Sequence, residues 1–332
     1  MANRVDCKRV IDFFFEKILI KKCNRATINN SAKEENKVME VSVIIVNYNT
    51  TQLTKRAINS IYSIKSGLRY EIIVVDNASD KSEKEELIHF AKEHDIMLHL
   101  SKTNQGFGVA NNIGAQYAKG EYLFLLNPDT LLINNAIDIL YNFAKSRDIE
   151  ICGGNLYDEK GKPVHSYWQT MPGVFFEFSA LINNLNLRLR YRGSHELNFT
   201  GKPMKVGYIT GADLMIKREL FAKLGGFDSS YFMYFEETDL QLRARQEGVE
   251  AWSVPEAKIT HLESRSTQNI EKKSKLFYES RKRYYNKNKS IASARIANTI
   301  LSINCLLRRA LFFIIGNEEK LEFWRIIQQN IR

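Results

Sequence analysis

Between residues 41 and 126, four short apolar runs alternate with stretches of helical spacing, and each run ends in polar residues. VSVIIVN (41–47), YEIIVVD (70–76), IMLHL (96–100) and the run over 121–126 have the length and the Val, Ile and Leu content of buried strands. Leu53 to Ile64 places apolar residues at helical intervals, 82–94 reads as a charged helix and 107–118 as a further one. This alternation predicts an α/β chain with a doubly wound, mostly parallel sheet flanked by helices. Right-handed crossovers then bring all four strand ends to one edge, the edge at which open parallel sheets hold their ligands.

The residues at that edge are consistent in kind. The strands end in Asn47-Tyr48-Asn49, in Asp76-Asn77-Ala78-Ser79, in Lys102-Thr103-Asn104 and in Asn127-Pro128-Asp129. In EYLFLLNPDT, Asn127-Pro128 stops the strand and leaves Asp129 at its carboxyl end. A carboxylate there is placed to hold magnesium or manganese against a phosphate, because hard cations take few carboxylates and complete their shell from the substrate. Equally, Asp129 with Thr130 can open the next helix. Gly106-Phe107-Gly108 is no dinucleotide fingerprint, since it follows the third strand and Asn111 stands at the sixth position. A GxxxxGK[ST] loop is absent, and NYNTTQ after the first strand lacks the basic, glycine-rich loop of a nucleotidyltransferase. What remains is a nucleotide held by Asp and Asn residues, with its phosphate tied through a metal.

VSVIIVNYN, EIIVVDNAS, NQGFGVANNIGA, YLFLLNPD, GADLMIKRELFAKLGGFD and YFMYFEETDLQLRARQEG occur in that order. Together they resemble an inverting family 2 glycosyltransferase of the GT-A fold, close to the bacterial rhamnosyltransferase branch, over about residues 41–265. The resemblance implies that Asn47, Tyr48 and Asn49 surround the nucleotide base and that Asp76 contacts it, with Asn77 alongside. It implies that Asn104, Gly106 and Asn112 shape the ribose and diphosphate pocket. Asp129 matches the last acid of the family's metal motif, and Asn127 stands where its first acid would be. His261, with Ser264 and Ser266 close by in ITHLESRST, matches the family's late histidine near the metal or diphosphate. Gly211 and Ala212 resemble the small-residue turn beneath the acceptor, with Asp213 at its edge.

Inverting transfer needs a base to take the acceptor hydroxyl's proton. Glu236-Glu237 follow the aromatic run Tyr231 to Phe235 and open a helix. Acids in a first turn are also favoured by the helix dipole, and Asp239 can pair with Arg243 at i, i+4. Adjacent helical residues diverge by about 100°, so one glutamate faces the site. Family members commonly carry Glu-Asp here with the second acid as base, so the resemblance assigns that role to Glu237 and acceptor-hydroxyl binding to Glu236. His165, Tyr167 and Trp168 can stack on a sugar or fill a core. The resemblance thus implies a metal-assisted transferase using a nucleotide-sugar donor, expected to be dTDP-rhamnose, and a saccharide or lipid-linked glycan acceptor. A UDP-hexose or UDP-N-acetylhexosamine donor is the rival. A non-catalytic nucleotide-sugar or glycan-binding module is another, against which Asp76, Asp129 and Glu237 stand.

Of the net charge of +10 over 332 residues, 265–332 carries 15 Lys and Arg against 5 Asp and Glu, and 1–40 carries 9 against 6. The middle is therefore slightly acidic, which does not support a basic groove for nucleic acid, and no nucleic-acid partner is expected. KKSKLFYESRKRYYNKNK (272–289) mixes cations with Phe277, Tyr278, Tyr284 and Tyr285. That suits a membrane interface or a helix folded back on the catalytic domain. The expectation is peripheral membrane contact through 272–315. Four cysteines without a CxxC suit a reducing compartment, so the expected place is the cytoplasm, at the inner face of the plasma membrane. VIDFFFEKILI is broken by Asp12 and Glu16 and reads as an amphipathic helix rather than a signal peptide. Ile296 to Leu307 is uncharged but too short to span a bilayer. The expected division is an extension and linker over 1–40, a transferase domain over 41–265 with halves at 41–155 and 156–265, and a basic helical tail over 266–332.

Overall fold

The computed structural model describes residues 38–262 and 270–331. The amphipathic helix expected near the amino terminus, Cys7, Cys23, Ser264 and Ser266 lie outside these residues. The amino-terminal half of the sheet runs β1 (Val41–Asn47), α1 (Thr51–Tyr62), β2 (Tyr70–Asp76), α2 (Lys81–Glu93), β3 (Met97–Leu100), α3 (Phe107–Tyr117) and β4 (Tyr122–Leu126). Its four strands are parallel in the order β3-β2-β1-β4, with Asn47 opposite Asp76. Every residue of β1 and β4 is buried, as continuous apolar strands require when both sheet faces are covered. Val43 and Ile45 pack with Ile58 of α1 and Leu87 of α2, whereas Ile44, Leu123 and Leu125 belong to the core of the opposite face.

The chain continues through β5 (Thr130–Leu132), α4 (Ala136–Arg147), β6 (Ile151–Tyr157), β7 (Tyr167–Trp168), α5 (Val174–Leu181), α6 (Leu185–Arg190), β8 (Met204–Val206), β9 (Tyr208–Ile209), β10 (Asp213–Lys217), α7 (Arg218–Lys223), α8 (Glu236–Gln246) and β11 (Ala251–His261). The sheet extends as β4-β10-β6-β11-β5, with β8 paired to β11. β10 is antiparallel to both β4 and β6, so the sheet is mixed. Thr130 does not open a helix. It begins β5, which pairs antiparallel with β11 and sets Thr130 opposite His261.

The last three helices, α9 (Ile270–Asn288), α10 (Ile291–Ile314) and α11 (Glu318–Asn330), share one compact unit with the sheet. One face of the basic–aromatic segment is therefore an interior surface, while Lys275, Lys282 and Arg283 are exposed. Tyr284 and Tyr285 are buried with Tyr231 and Phe235, and Arg281 is buried too. The Arg281 guanidinium donates to Glu177 of α5 at 2.8 Å and to Asn298 at 2.7 Å, and the Tyr285 hydroxyl donates to the same carboxylate at 2.9 Å. The run Ile296 to Leu307 lies within the 24-residue α10, which by length and composition could cross a bilayer, with a mean hydropathy of 1.3. Its inward face buries Ala297, Leu301, Asn304 and Cys305, while Ile303, Leu306, Leu307, Leu311, Phe313 and Ile314 are exposed.

The Arg281 and Glu177 side chains are only 7% and 6% exposed. Removing the cation leaves a buried carboxylate unpaired, so Arg281→Ala is expected to cost about 3–5 kcal/mol in urea unfolding. Arg281→Met combined with Glu177→Gln should cost clearly less.

Candidate active site

A cavity of about 140 Å³ lies at the carboxyl ends of β1, β2 and β4. Tyr48, Asn77, Asn104, Gly106, Asn127 and Asp129 line it, together with Phe107, Phe232 and Met233. The loops that build it are tied by side-chain amides. Asn77 donates to Asn104 Oδ1 at 2.9 Å and to the Gly106 carbonyl at 3.2 Å, and accepts from the Gln105 N–H. Gly106 has φ 88°, and a Cβ there would fall 2.2 Å from the Phe232 carbonyl oxygen. That carbonyl accepts from the Phe107 N–H at 3.0 Å. Only glycine permits both this backbone and this approach.

Several expected residues stand behind the cavity rather than in it. Asn47 and Asp76 are fully buried. Asn47 donates to Asp76 at 3.0 Å and to Ser79 at 3.1 Å, and its side-chain Oδ1 accepts from the hydroxyls of Thr50 and Thr54. The other Asp76 oxygen accepts from the Ser79 N–H. Asn49 takes a left-handed φ of 53° and accepts from the Asp80 N–H. Asn112 spends its amide on the backbone of Phe227, donating to its carbonyl and accepting from its N–H at 2.8 Å each. It clasps the turn before the 228–235 loop.

Asp129 and His261 come together, Nε2 to Oδ1 at 3.3 Å. The β5–β11 pairing does this, aided by the Leu262 N–H donating to the Asp129 carbonyl at 2.9 Å. Two cis ligands on a hard cation with bonds of 2.0–2.1 Å sit about 3 Å apart, so the pair fits a divalent metal that takes its remaining ligands from phosphate and water. Among the described residues no cluster of three or more His, Cys, Asp or Glu could hold one by protein groups alone.

A second cavity, of about 480 Å³, is mainly aromatic. His165, Trp168, Phe176, Tyr208 and Thr210 form one side, Tyr234, Phe235, Glu237 and Thr238 a second, and Phe277, Tyr278, Arg281, Leu301 and Trp324 of the last helices a third. Burial, reinforced by the neighbouring His195, pushes His165 down to about 4. Glu237 enters this cavity, with Gly211 close to its Cγ. Glu236 points elsewhere, under α3 against Gly108, with one carboxyl oxygen buried and unpartnered. The 100° divergence of neighbouring helical residues accounts for the split. Burial raises both carboxyls; the Glu237 charge adds to it for Glu236, while the N–H groups of Glu237 and Thr238 oppose it for Glu237.

Asp213 is buried beside neither cavity; it accepts from the Gly154 N–H at 2.7 Å, and burial pushes its carboxyl well up. Ala212 contributes its carbonyl to the Asn127 N–H. Phe232 and Met233 of the first cavity, and the α9–α11 side of the second, were not assigned a role from sequence. The signals were the aromatic run Tyr231 to Phe235 and the aromatic content of 272–289.

A small cleft at the carboxyl ends of the strands, beside an aromatic chamber holding a carboxylate, is the arrangement of a GT-A glycosyltransferase fold. The chain belongs to Glycosyl transferase family 2, whose profile matches residues 42–225. It is similar to the low-salt glycan biosynthesis hexosyltransferase Agl10 of Haloferax volcanii, with 28% identity over 89% of this chain and 91% of the relative. It is also similar to the rhamnosyltransferase WbbL of Escherichia coli K12, with 25% identity over 67% of this chain and 83% of the relative. In fold it resembles GalNAc-T7, solved with UDP, GalNAc and Mn2+, at a TM-score of 0.51 and 20% identity, covering 73% of this chain and 48% of that one.

Gly106→Ala should force the loop away from Phe232. We expect nucleotide affinity, measured by calorimetry, to fall about tenfold or more, because this single position shapes the cavity.

Proposed function

We propose that the protein transfers a hexosyl group, L-rhamnose from dTDP-rhamnose, to a hydroxyl of a saccharide or lipid-linked glycan, with inversion. The observation that carries this proposal is a shared wall. In the loop before α8, Phe232 and Met233 line the donor cavity while the next two residues, Tyr234 and Phe235, line the aromatic one. A donor in the first cavity and an acceptor in the second would meet at that wall, where Glu237 stands on the acceptor side.

Glu237 would take the proton from the acceptor hydroxyl. The oxygen then attacks the anomeric carbon from the face opposite the diphosphate, the C–O bond to phosphate breaks, and the nucleoside diphosphate departs with the bonding pair. Asp129 and His261 would hold a divalent cation, Mg2+ or Mn2+, which neutralises charge on the leaving diphosphate. Tyr48 and Phe232, exposed at the rim, offer faces to the base. The hexosyltransferase and rhamnosyltransferase names of the two relatives favour a hexose donor. A panel of nucleotide sugars with magnesium or manganese, scored by released dTDP, UDP or GDP, tests the proposal; turnover with UDP-hexoses alone would replace the rhamnosyl donor, and turnover with none would overturn transfer.

Glu237→Gln should lower kcat by about 10²–10⁴-fold, the range for a general base, and Glu236→Gln far less. Because burial raises the Glu237 carboxyl above its usual 4.5, the base protonates early as the solution is acidified. The acid limb of kcat/KM should therefore lie above 4.5 and vanish with the Gln variant.

A lipid-linked acceptor would place the protein at the cytoplasmic face of a membrane, and the uncovered stripe of α10 is the surface for that contact. Full-length protein should float with anionic vesicles, and Leu307→Glu with Leu311→Glu should leave it in the soluble fraction.

A further inference from the structure

Glu237 is presented by a turn that its own residues do not favour. Tyr234 has φ 69° and Phe235 φ 67°, a left-handed backbone that side chains bearing a Cβ hold only when their surroundings over-determine it. No glycine relieves the strain here. The determining contacts come from α9. Phe277 packs against both rings, with centroids 5.8 Å from Tyr234 and 5.2 Å from Phe235. The Ser280 hydroxyl donates to the Met233 carbonyl at 2.7 Å.

Lys287 reaches further. Its ammonium donates to Asp228, ahead of the turn, at 2.6 Å, and to Asp239, two residues beyond Glu237, at 2.9 Å. Asp239 is fully buried and also accepts from Asn288 at 3.0 Å and from Arg243 at 2.9 Å. Arg243 also donates to the Leu224 and Gly226 carbonyls and so ties α8 to the chain before the loop; Lys287 adds a second bridge between the two ends, and it alone comes from α9. Burial opposes the charge on Asp228, yet the hydrogen bonds from Lys287 and Ser230, together with the Lys287 charge, outweigh it and hold that carboxyl down at about 2.

We propose that Lys287 is a positioning residue for sugar transfer: by bridging Asp228 and Asp239 from the carboxyl-terminal helix, it fixes the turn that carries Glu237 and divides donor from acceptor. The role rests on Glu237 acting as base. It makes α9 a working part of the active site, since Phe277, Tyr278 and Arg281 of the same helix line the acceptor cavity.

The test compares full-length Lys287→Met and Lys287→Arg with the parent. Arg243 and Asn288 still satisfy Asp239 in both, so both are expected to fold. The Met variant should lose about tenfold or more in kcat, as a misplaced catalytic group does, while donor KM and nucleotide Kd stay within about twofold. The Arg variant should recover most of the loss. Independently of turnover, amide exchange over 228–240 should quicken about tenfold in the Met variant with 41–50 unchanged. A kcat within about twofold of the parent, exchange over 228–240 that does not change, or nucleotide affinity falling together with kcat would each overturn the proposal. A parent that turns over no donor would instead refute transfer, and the exchange measurement would still decide whether Lys287 holds the turn.

Discussion

Because β10 runs antiparallel against β4, with Asp213 opposite Leu126, its amino end rather than its carboxyl end meets the ligand edge. Gly211 and Ala212 thereby arrive beside Asn127, and the Ala212 carbonyl takes the Asn127 N–H. The reversal also decides what lies beyond. β6 pairs on the far side of β10, β11 on β6 and β5 on β11. β11 thereby returns to β5, which starts a single turn after β4, the Thr130 N–H donating to the Asn127 carbonyl. Asp129 and His261, far apart in the chain, meet only because that circuit closes.

The parallel half was legible because its information is local. A continuous apolar run over 41–47 or 70–76 marks a strand covered on both faces, and both runs are strands with those bounds. β5 was not legible: TLL is three residues long and becomes a strand only through β11. The antiparallel entry of β10 likewise depends on partners, not on its own composition. At the site, helical divergence foresaw that one of Glu236 and Glu237 would face the cavity. It could not foresee that Tyr234 and Phe235 would be left-handed, since neither residue type signals it. The rings and cations of 272–289 had two meanings in sequence, and along one face the interior one prevails because Tyr285 and Arg281 bond to Glu177 of α5 and Tyr284 packs on Phe235 just ahead of α8.

The amides at the strand ends illustrate why a residue can belong to a binding site without bordering it. Asn47 and Asp76 use their polar atoms on each other and on neighbouring hydroxyls and N–H groups, which leaves Tyr48 and Asn77 to face the cavity from rigid ground. Such a network is favourable only when every member is satisfied. Glu236 and Asp213 depart from that pattern, each keeping one sealed oxygen without a partner. Burial pushes both toward the neutral acid, the form in which a sealed carboxyl is tolerable.

The shared wall has a consequence for descent. Under the proposed transfer, donor recognition would draw on strand ends up to Asp129 and on Phe232 and Met233, whereas one of the three sides of the acceptor chamber comes from residues beyond 270. That side alone lies on a separate stretch of the gene. A single recombination junction between β11 and α9 would keep the donor cleft and exchange only that side of the chamber, provided the incoming helix brought a cation to the place of Lys287.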